Sequence, residues 1–540
     1  MGNECSSCED EDDSAACDVK QPSHADALRQ TERLSADSEA AVLDAESVPV
    51  LGLQGCTVVK PKSTDSLALS PEDQLDRAGM LEVDFELLRA VPLSKCLQRA
   101  GRLWSKNPAD ITHAERVALS KMAEAAESFD VFISHSWTSP GRSKFLYLLL
   151  REGVSSALLF WCIAVGVAML LCSVSALPMP ADYIIQILQF RDPAPFGFWV
   201  FGPSMIATAT GLALAPYMPA RHRTKCFVDV VSINQANEEL MQRGIYSIGG
   251  FLSVSRELLV LWSPPYLSRL WCVFELAAYR HANPHGKITL VPLFMANVIL
   301  LLFFSMFALG GAVMAGILLG TADPGGNLGY FGLLFAVLCP PVSWAAHIMR
   351  RNLYEKQTLL ESLQEYKLSN SLCRMDFDRA YVHKAISTWY GSIAGFEEYV
   401  QGPLQRELTG KSYRLVLPFN LRFLILLPVI NVGVEEVLSL GVAGAPFECL
   451  LCQLLGQSLA ANILWGNVSI NLFVTLCERL ASPARNVGYD CLKSVCIYLA
   501  FMGTLLGGNF VSLMTRETHI WAVVAWSAFA ACVFFCTSRV

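Results

Sequence analysis

Apolar residues in this chain fall into two kinds of run. Short runs lie at 129–134 (FDVFIS), from Phe227, at 258–262 and at 288–294 (ITLVPLF). They are β-rich, bounded by turn or polar residues, and read as buried parallel strands. Long runs lie at 154–176, 196–216, 295–320, 328–349, 419–440, 447–475, 491–513 and 519–537. Each is close to the ~20 apolar residues that a spanning helix needs, which makes about eight spans. The two kinds interleave, so the first two long runs separate the first strand from the second. Strands of one sheet share one side of a membrane, so the insertion crosses an even number of times. Two spans satisfy that, with 177–195 facing away from the cytosol.

Polar positions support this topology. The inner loops carry Arg221, Arg223 and Lys225, then the basic segment 350–415, then Arg479 and Arg485, while the outer loops 321–327 and 441–446 carry no Lys or Arg. That is the positive-inside pattern, with both termini cytosolic. The expected order is a polar tail (1–79), a helical lead-in (80–128), the first part of an α/β domain (129–150), a two-span insertion (151–216) and the second part (217–294). Two spans (295–349), a cytosolic helical segment (350–416) and four spans (417–540) follow. In the lead-in, Thr112 and Glu115 predict a capping box before a helix running to about Glu127. In the third span, Ala308, Ala312, Gly316 and Gly320 form a small-residue stripe suited to a close helix contact, and Pro340 and Pro341 should kink the fourth.

Composition fits a multi-pass membrane protein. Hydrophobic residues make up 53% of the 540 positions and charged residues 16%, too apolar for an ordinary soluble protein. The net charge of -7 gives no sign of nucleic-acid binding. The 18 Cys are scattered without framework spacing, as in reduced cytosolic or membrane-buried thiols. The tail is rich in Ser, Asp, Glu and Ala and reads as disordered. It begins MGNECS without a signal peptide. Gly2 fits a myristoylation acceptor, and Cys5 and Cys8 are candidates for a second acyl chain. Against that, the motif is short and the acids at 9–13 oppose an anionic leaflet.

Residues 263–280 read SPPYLSRLWCVFELAAYR and follow a strand. Pro264 and Pro265 end the strand, and a helix starts near Ser268 or Arg269. Trp271 and Glu275 are four residues apart and so share a helix face, beside the carboxyl edge of the sheet. The pattern SxxYxxxxWCxxEL resembles the active-site helix of Toll/interleukin-1 receptor (TIR) domains of the plant and protist kind. FDVFIS resembles the first TIR strand, and CFVDVVSINQ at 226–235 resembles the second strand and its loop. The segment CRMDFDRAYVHKAISTWYGSIAGFEEYV resembles the helical tail after some TIR-like domains. The resemblance covers about a third of the chain. It implies an open parallel-sheet, flavodoxin-like cytosolic α/β domain, here joined to a polytopic α-helical membrane domain.

Many TIR domains cleave NAD at the nicotinamide–ribose bond, so NAD is the candidate substrate, and no further cofactor is required. Nicotinamide leaves as a neutral group, so one carboxylate beside the oxocarbenium-like ribosyl centre suffices. The resemblance gives that role to Glu275, with Trp271 packing on the ligand. It places Ser134, His135, Ser136 and Trp137 at the mouth of the same cleft, and Arg142 and Lys144 near the pyrophosphate. The plain alternatives are a solvated Glu275, a core Trp271, a backbone-capping His135 and two solvated basic residues. Ser232, Ile233, Asn234 and Gln235 match the loop through which TIR domains touch a neighbouring copy, although that loop is longer here. No metal-ligand cluster stands out.

In the C-terminal spans, Glu435 and Glu436 are functional candidates by default. The alternative is that their helix leaves the bilayer by Val434. Asn462, Asn467 and Asn471 suit bonds between helices. Three functions compete: a membrane-embedded TIR protein that cleaves NAD, a non-catalytic TIR relay acting by self-association, and a channel or transporter with a regulatory TIR domain. The spans lack a charged, broken-helix pair, which weighs against the third.

Overall fold

The computed structural model describes residues 58–59, 75, 78–219, 224–264, 266–319, 328–373, 375–409 and 417–538. The lipidation candidates Gly2, Cys5 and Cys8, the outer loop 321–327, and Arg221 and Arg223 lie outside the described residues.

A six-stranded sheet organises the α/β part. Its strands are β1 (Arg89–Pro92), β2 (Glu124–Ala125), β3 (Phe129–His135), β4 (Lys225–Phe227), β5 (Ser255–Trp262) and β6 (Lys287–Pro292). The spatial order is β6-β5-β3-β4-β1-β2. The four strands β6, β5, β3 and β4 are parallel, and β1 and β2 extend the edge antiparallel. The order among the parallel strands reverses at β3, which is the switch point of doubly wound sheets.

Strand alternation sends side chains to two cores. Val131, Ile133, Leu259 and Leu261 face one of them. Phe132, Phe227, Leu258 and Val260 face the other. Phe132 and Phe227 stack at 4.3 Å, and burial of each contributes about 1.5–3 kcal/mol.

The lead-in differs from expectation. The capping box at Thr112 and Glu115 forms, but its helix stops at Ser120. Residues 124–125 are drawn instead into the sheet edge against Arg89 and Ala90, so the segment 80–128 contains three short strands, at Val83–Asp84, Arg89–Pro92 and Glu124–Ala125, as well as helices.

Helix α1 (Gly141–Ser173) starts at the carboxyl end of β3 and packs Tyr147, Leu148 and Leu150 on the sheet. It then continues into an apolar stretch exposing Leu159, Ile163 and Val167. The chain returns through the hairpin Ala181–Ile184/Pro193–Phe196 and helix α2 (Phe201–Leu214). After helix α3 (Leu270–Ala282) and β6, helix α4 (Met295–Leu318) again starts on the sheet and leaves it.

Helices α5 (Leu328–Ser362), α6 (Asp376–Tyr390) and α7 (Phe419–Val442) follow. A π-helical stretch, Gln453–Trp465, then leads into α8 (Gly466–Arg479), and α9 (Val487–Thr518) and α10 (Ile520–Ser538) complete the order. Pro340 and Pro341 lie within α5, which runs through them as one element.

Seven helices among the described residues are long and apolar enough to cross a membrane, consistent with a multi-pass membrane protein. The run 196–216 is not one of them. Pro193–Phe196 pairs as a strand, so α2 begins only at Phe201 and has 14 residues. At 1.5 Å per residue it covers about 21 Å, short of a ~30 Å hydrocarbon core. Of the expected stripe on α4, Gly316 is buried and Ala312 half-buried, and Gly320 lies outside the described residues. Ala308 is exposed, and Gly310 makes the approach. A Cβ there would lie 2.8 Å from the Phe201 ring and 2.9 Å from Pro428 O.

Candidate functional site

The carboxyl edges of β3 and β5 bring a polar cluster together. Consecutive residues of β3 point to opposite faces, so Ser134 and His135 enter different pockets. Both were expected at one cleft mouth, but the pleat separates them.

On the α3 side, Ser134 donates to Glu275 Oε2. The Tyr266 hydroxyl lies 2.5 Å from Ser134 Oγ. With Glu275 ionised, Ser134 gives its one proton to the carboxylate, so Tyr266 is the donor in that pair. The chain Tyr266–Ser134–Glu275 fixes the carboxylate. Glu275 is half-buried. Burial pushes its pKa up to about 8, against the hydrogen bond from Ser134 that favours the carboxylate. The Asp229 charge raises it further, and Arg269 opposes that.

On the α1 side, Lys144 is fully buried. Its Nζ donates to Ser136 O at 2.7 Å, lies 3.3 Å from His135 Nδ1, and sits 5.0 Å from the Trp137 ring centroid. Burial lowers its pKa to about 8. His135 packs edge-on to Trp104 and Trp137, and burial with the Lys144 charge holds its imidazole well below the usual range. Trp137 Nε1 donates to Asp229 Oδ2 at 2.7 Å. Asp229 Oδ1 lies 3.9 Å from His135 Nε2. Burial raises the Asp229 carboxyl.

Lys144 is therefore not a solvated base, and its ammonium ties down the turn after β3. Ser136 Oγ lies 2.7 Å from Thr138 Oγ1 and stays within that turn. Arg142 is exposed.

Trp271 does not wall the Glu275 pocket. Its Nε1 donates to Asp378 Oδ2 at 3.2 Å, and its ring packs on Phe274 and Tyr381. Helix α6 captures it, because Asp378 offers the indole a partner and Tyr381 an apolar face. The same helix is held by Tyr381 OH donating to Tyr246 O at 2.6 Å and Tyr390 OH donating to Ala277 O at 3.1 Å.

The expected assembly loop is partly internal. Ser232 and Ile233 are buried. Ser232 Oγ accepts from Val228 N at 3.1 Å, and Ile233 lies against Gly244, where a Cβ would come within 2.8 Å. Asn234 and Gln235 are half-buried, and Asn237 is the exposed position beyond them.

Asp229, Tyr266 and Arg269 complete the cluster and were not singled out as site residues in the sequence. Tyr266 is the Tyr of the pattern that also holds Glu275, which was the available signal. Asp229 gave none, because a short helix at Asp229–Ser232 turns it back to Trp137.

In the apolar part, Glu435 and Glu436 are buried by protein. Helix α7 continues to Val442. Glu435 Oε2 accepts from Val200 N at 2.8 Å and Phe201 N at 3.2 Å, capping α2. Asn462 and Asn471 bond across helices, to Val429 O and from Arg422, while Asn467 bonds within its own helix to Ile463 O.

Among the described residues no group of three or more His, Cys, Asp and Glu is placed to hold a metal ion. No family model, curated protein or solved structure matches this chain, so its α/β fold with seven long apolar helices stands on its own geometry.

Proposed function

We propose that this is a membrane-embedded TIR-like signalling protein whose α/β domain cleaves NAD at the nicotinamide–ribose bond. The observation that carries this reading is Glu275, half-buried and held by Ser134 at the carboxyl edge of a parallel sheet. That edge, at the order reversal, is the usual ligand crevice of such sheets. As a carboxylate, Glu275 would stabilise the ribosyl cation that forms as nicotinamide departs. Asp229 and Arg269 supply the surrounding charge, and Tyr266 completes the relay to Ser134. The TIR likeness rests on the three sequence blocks, and the activity rests on that likeness together with the placement of Glu275.

In this reading the sheet lies in the cytosol. Strands β3 and β4 pair within one sheet, so the insertion between them must return. Helix α2, with the 3-10 turn Ala215–Tyr217 after it, would make the return and keep both termini cytosolic. The bilayer and a second copy of the chain, docked through the exposed residues after Gln235, are the proposed partners.

A second reading, a relay without catalysis, gains weight from the raised pKa of Glu275, because most molecules carry the protonated acid at neutral pH. Incubation of purified full-length protein with NAD, followed by product analysis, separates the two. Released nicotinamide supports catalysis, and unchanged NAD with protein assembled in membranes supports the relay.

A further inference from the structure

Helix α7 and the segment 453–479 meet along one antiparallel seam. From the end far from the sheet, Gln453 donates to Glu436, Asn462 Nδ2 donates to Val429 O at 3.2 Å, and Asn471 Oδ1 accepts from Arg422 Nη1 at 2.6 Å. Gly466 packs on Leu426 between the last two. On the 453–479 side, polar residues recur every four or five positions: 453, 457, 462, 467 and 471. Hydrogen bonds from i to i+5 widen the π-helical turn, so residues five apart stack on one face. On α7 the facing positions 436, 433, 429, 426 and 422 keep the three-to-four spacing of an α-helix face.

Helix α9 supplies a third wall. Gln457 Nε2 donates to Asn509 Oδ1 at 2.5 Å, and Arg516 Nη1 donates to Gln453 Oε1 at 2.7 Å and to Glu436 Oε2 at 3.4 Å. A Cβ on Gly433 would lie 2.9 Å from Asn462 Nδ2 and 3.0 Å from Ser458 Oγ, so this glycine lets the polar groups close on α7.

A second, independent observation lies in what these groups leave unmade. Gln457 Oε1, Ser458 Oγ, Asn467 Oδ1, Ser512 Oγ, Arg422 Nε and Arg516 Nε are buried and find no hydrogen-bond partner among the described residues. Orphan polar atoms are costly in any core, and more so among helices apolar enough for a bilayer. Their alignment along one seam points to a polar species that occupies it.

Charge selects the species. Arg516 is matched by Glu436. Arg422 is 5% exposed, and its hydrogen-bond partner is a neutral amide. The seam therefore carries a net positive charge, with the unmet Ser458 and Ser512 hydroxyls as donors between its two guanidinium groups. Such groups replace the hydration of an anion and repel cations and protons. We propose that this seam is a binding and permeation path for a small monovalent anion of the halide class, closed at its far end by the Glu436–Arg516 pair.

The test is chloride release from liposomes holding the purified full-length protein, loaded with potassium chloride and started with valinomycin. Release faster than from empty liposomes is expected, and gluconate in place of chloride should show none. Arg422→Gln and Ser512→Ala should slow release, the former by about tenfold or more. Glu436→Gln should speed it by removing the partner of Arg516. Variants are compared only where they elute as the wild type does, and Ser512→Ala removes one buried oxygen without changing charge. Release equal to that of empty liposomes in both wild type and Glu436→Gln overturns the proposal. So does wild-type release of potassium without valinomycin at the chloride rate, or release that neither Arg422→Gln nor Ser512→Ala alters.

Discussion

Arg151 Nη2 donates to Glu257 Oε2 at 3.1 Å. Glu257 lies near the start of β5, whereas Lys144, earlier on the same helix, bonds to Ser136 beyond the end of β3. Helix α1 therefore runs back along the sheet, from its carboxyl edge to its amino edge. Its apolar continuation leaves from the amino edge. Glu275 and Ser134 sit at the opposite edge, so the apolar continuation of α1 and the candidate cleft are at opposite ends of the sheet.

The first prediction concerns charge at that cleft. Glu275→Gln keeps the shape and loses the carboxylate. Turnover of NAD should fall by about two to three orders of magnitude, the scale for loss of a preorganised stabilising group. NAD binding should change far less, because the cation exists only near the transition state. Full activity in Glu275→Gln would remove this residue from the mechanism.

The pH profile follows from burial. The acid is raised to about 8, so the protonated form predominates below that pH and the active carboxylate above it. The kcat/KM for NAD should climb about tenfold per pH unit below pH 7 and level off above about 8. Ser134→Ala removes the hydrogen bond that favours the carboxylate. The midpoint should then move to higher pH, by about one unit. A midpoint near the ordinary glutamate range in the wild type would contradict this account.

Asp378 joins two elements through one carboxylate. It accepts from Trp271 Nε1 and from Tyr246 OH, both at 3.2 Å. Asp378→Ala leaves two half-buried donors without that acceptor, a cost of about 1–3 kcal/mol. Limited proteolysis should then cut within 366–376 faster than in the wild type. Equal cutting rates would show that α6 is held mainly by its apolar contacts.

Topology has a direct measurement. Gln189 lies by the hairpin at the end far from the sheet, and Asn237 lies in the α/β part; both are exposed. An impermeant thiol reagent applied to intact cells should label a Cys placed at Gln189 and spare one placed at Asn237. Labelling at Asn237 would reverse the proposed orientation.

What the sequence determined is what local pattern controls. The alternation in FDVFISH yielded β3 and the split between its two faces. The run lengths identified the seven long helices, and Thr112 with Glu115 marked a helix start. The proline pair and the spacing in WCVFEL placed Glu275 on a helix at a strand end. Each of these depends on residues a few positions apart, where backbone geometry sets the period. Tertiary structure decided which partner each side chain met. Trp271 meets Asp378, 107 positions away, rather than the Glu275 pocket. Pro193–Phe196 pairs across a hairpin and shortens α2. Glu435 reaches Val200, 235 positions away, and serves as a buried cap of another helix. Asp229 and Lys144 gain their shifted acidity from burial by elements distant in the chain. Burial and pairing depend on where the whole chain packs, and no local period encodes that.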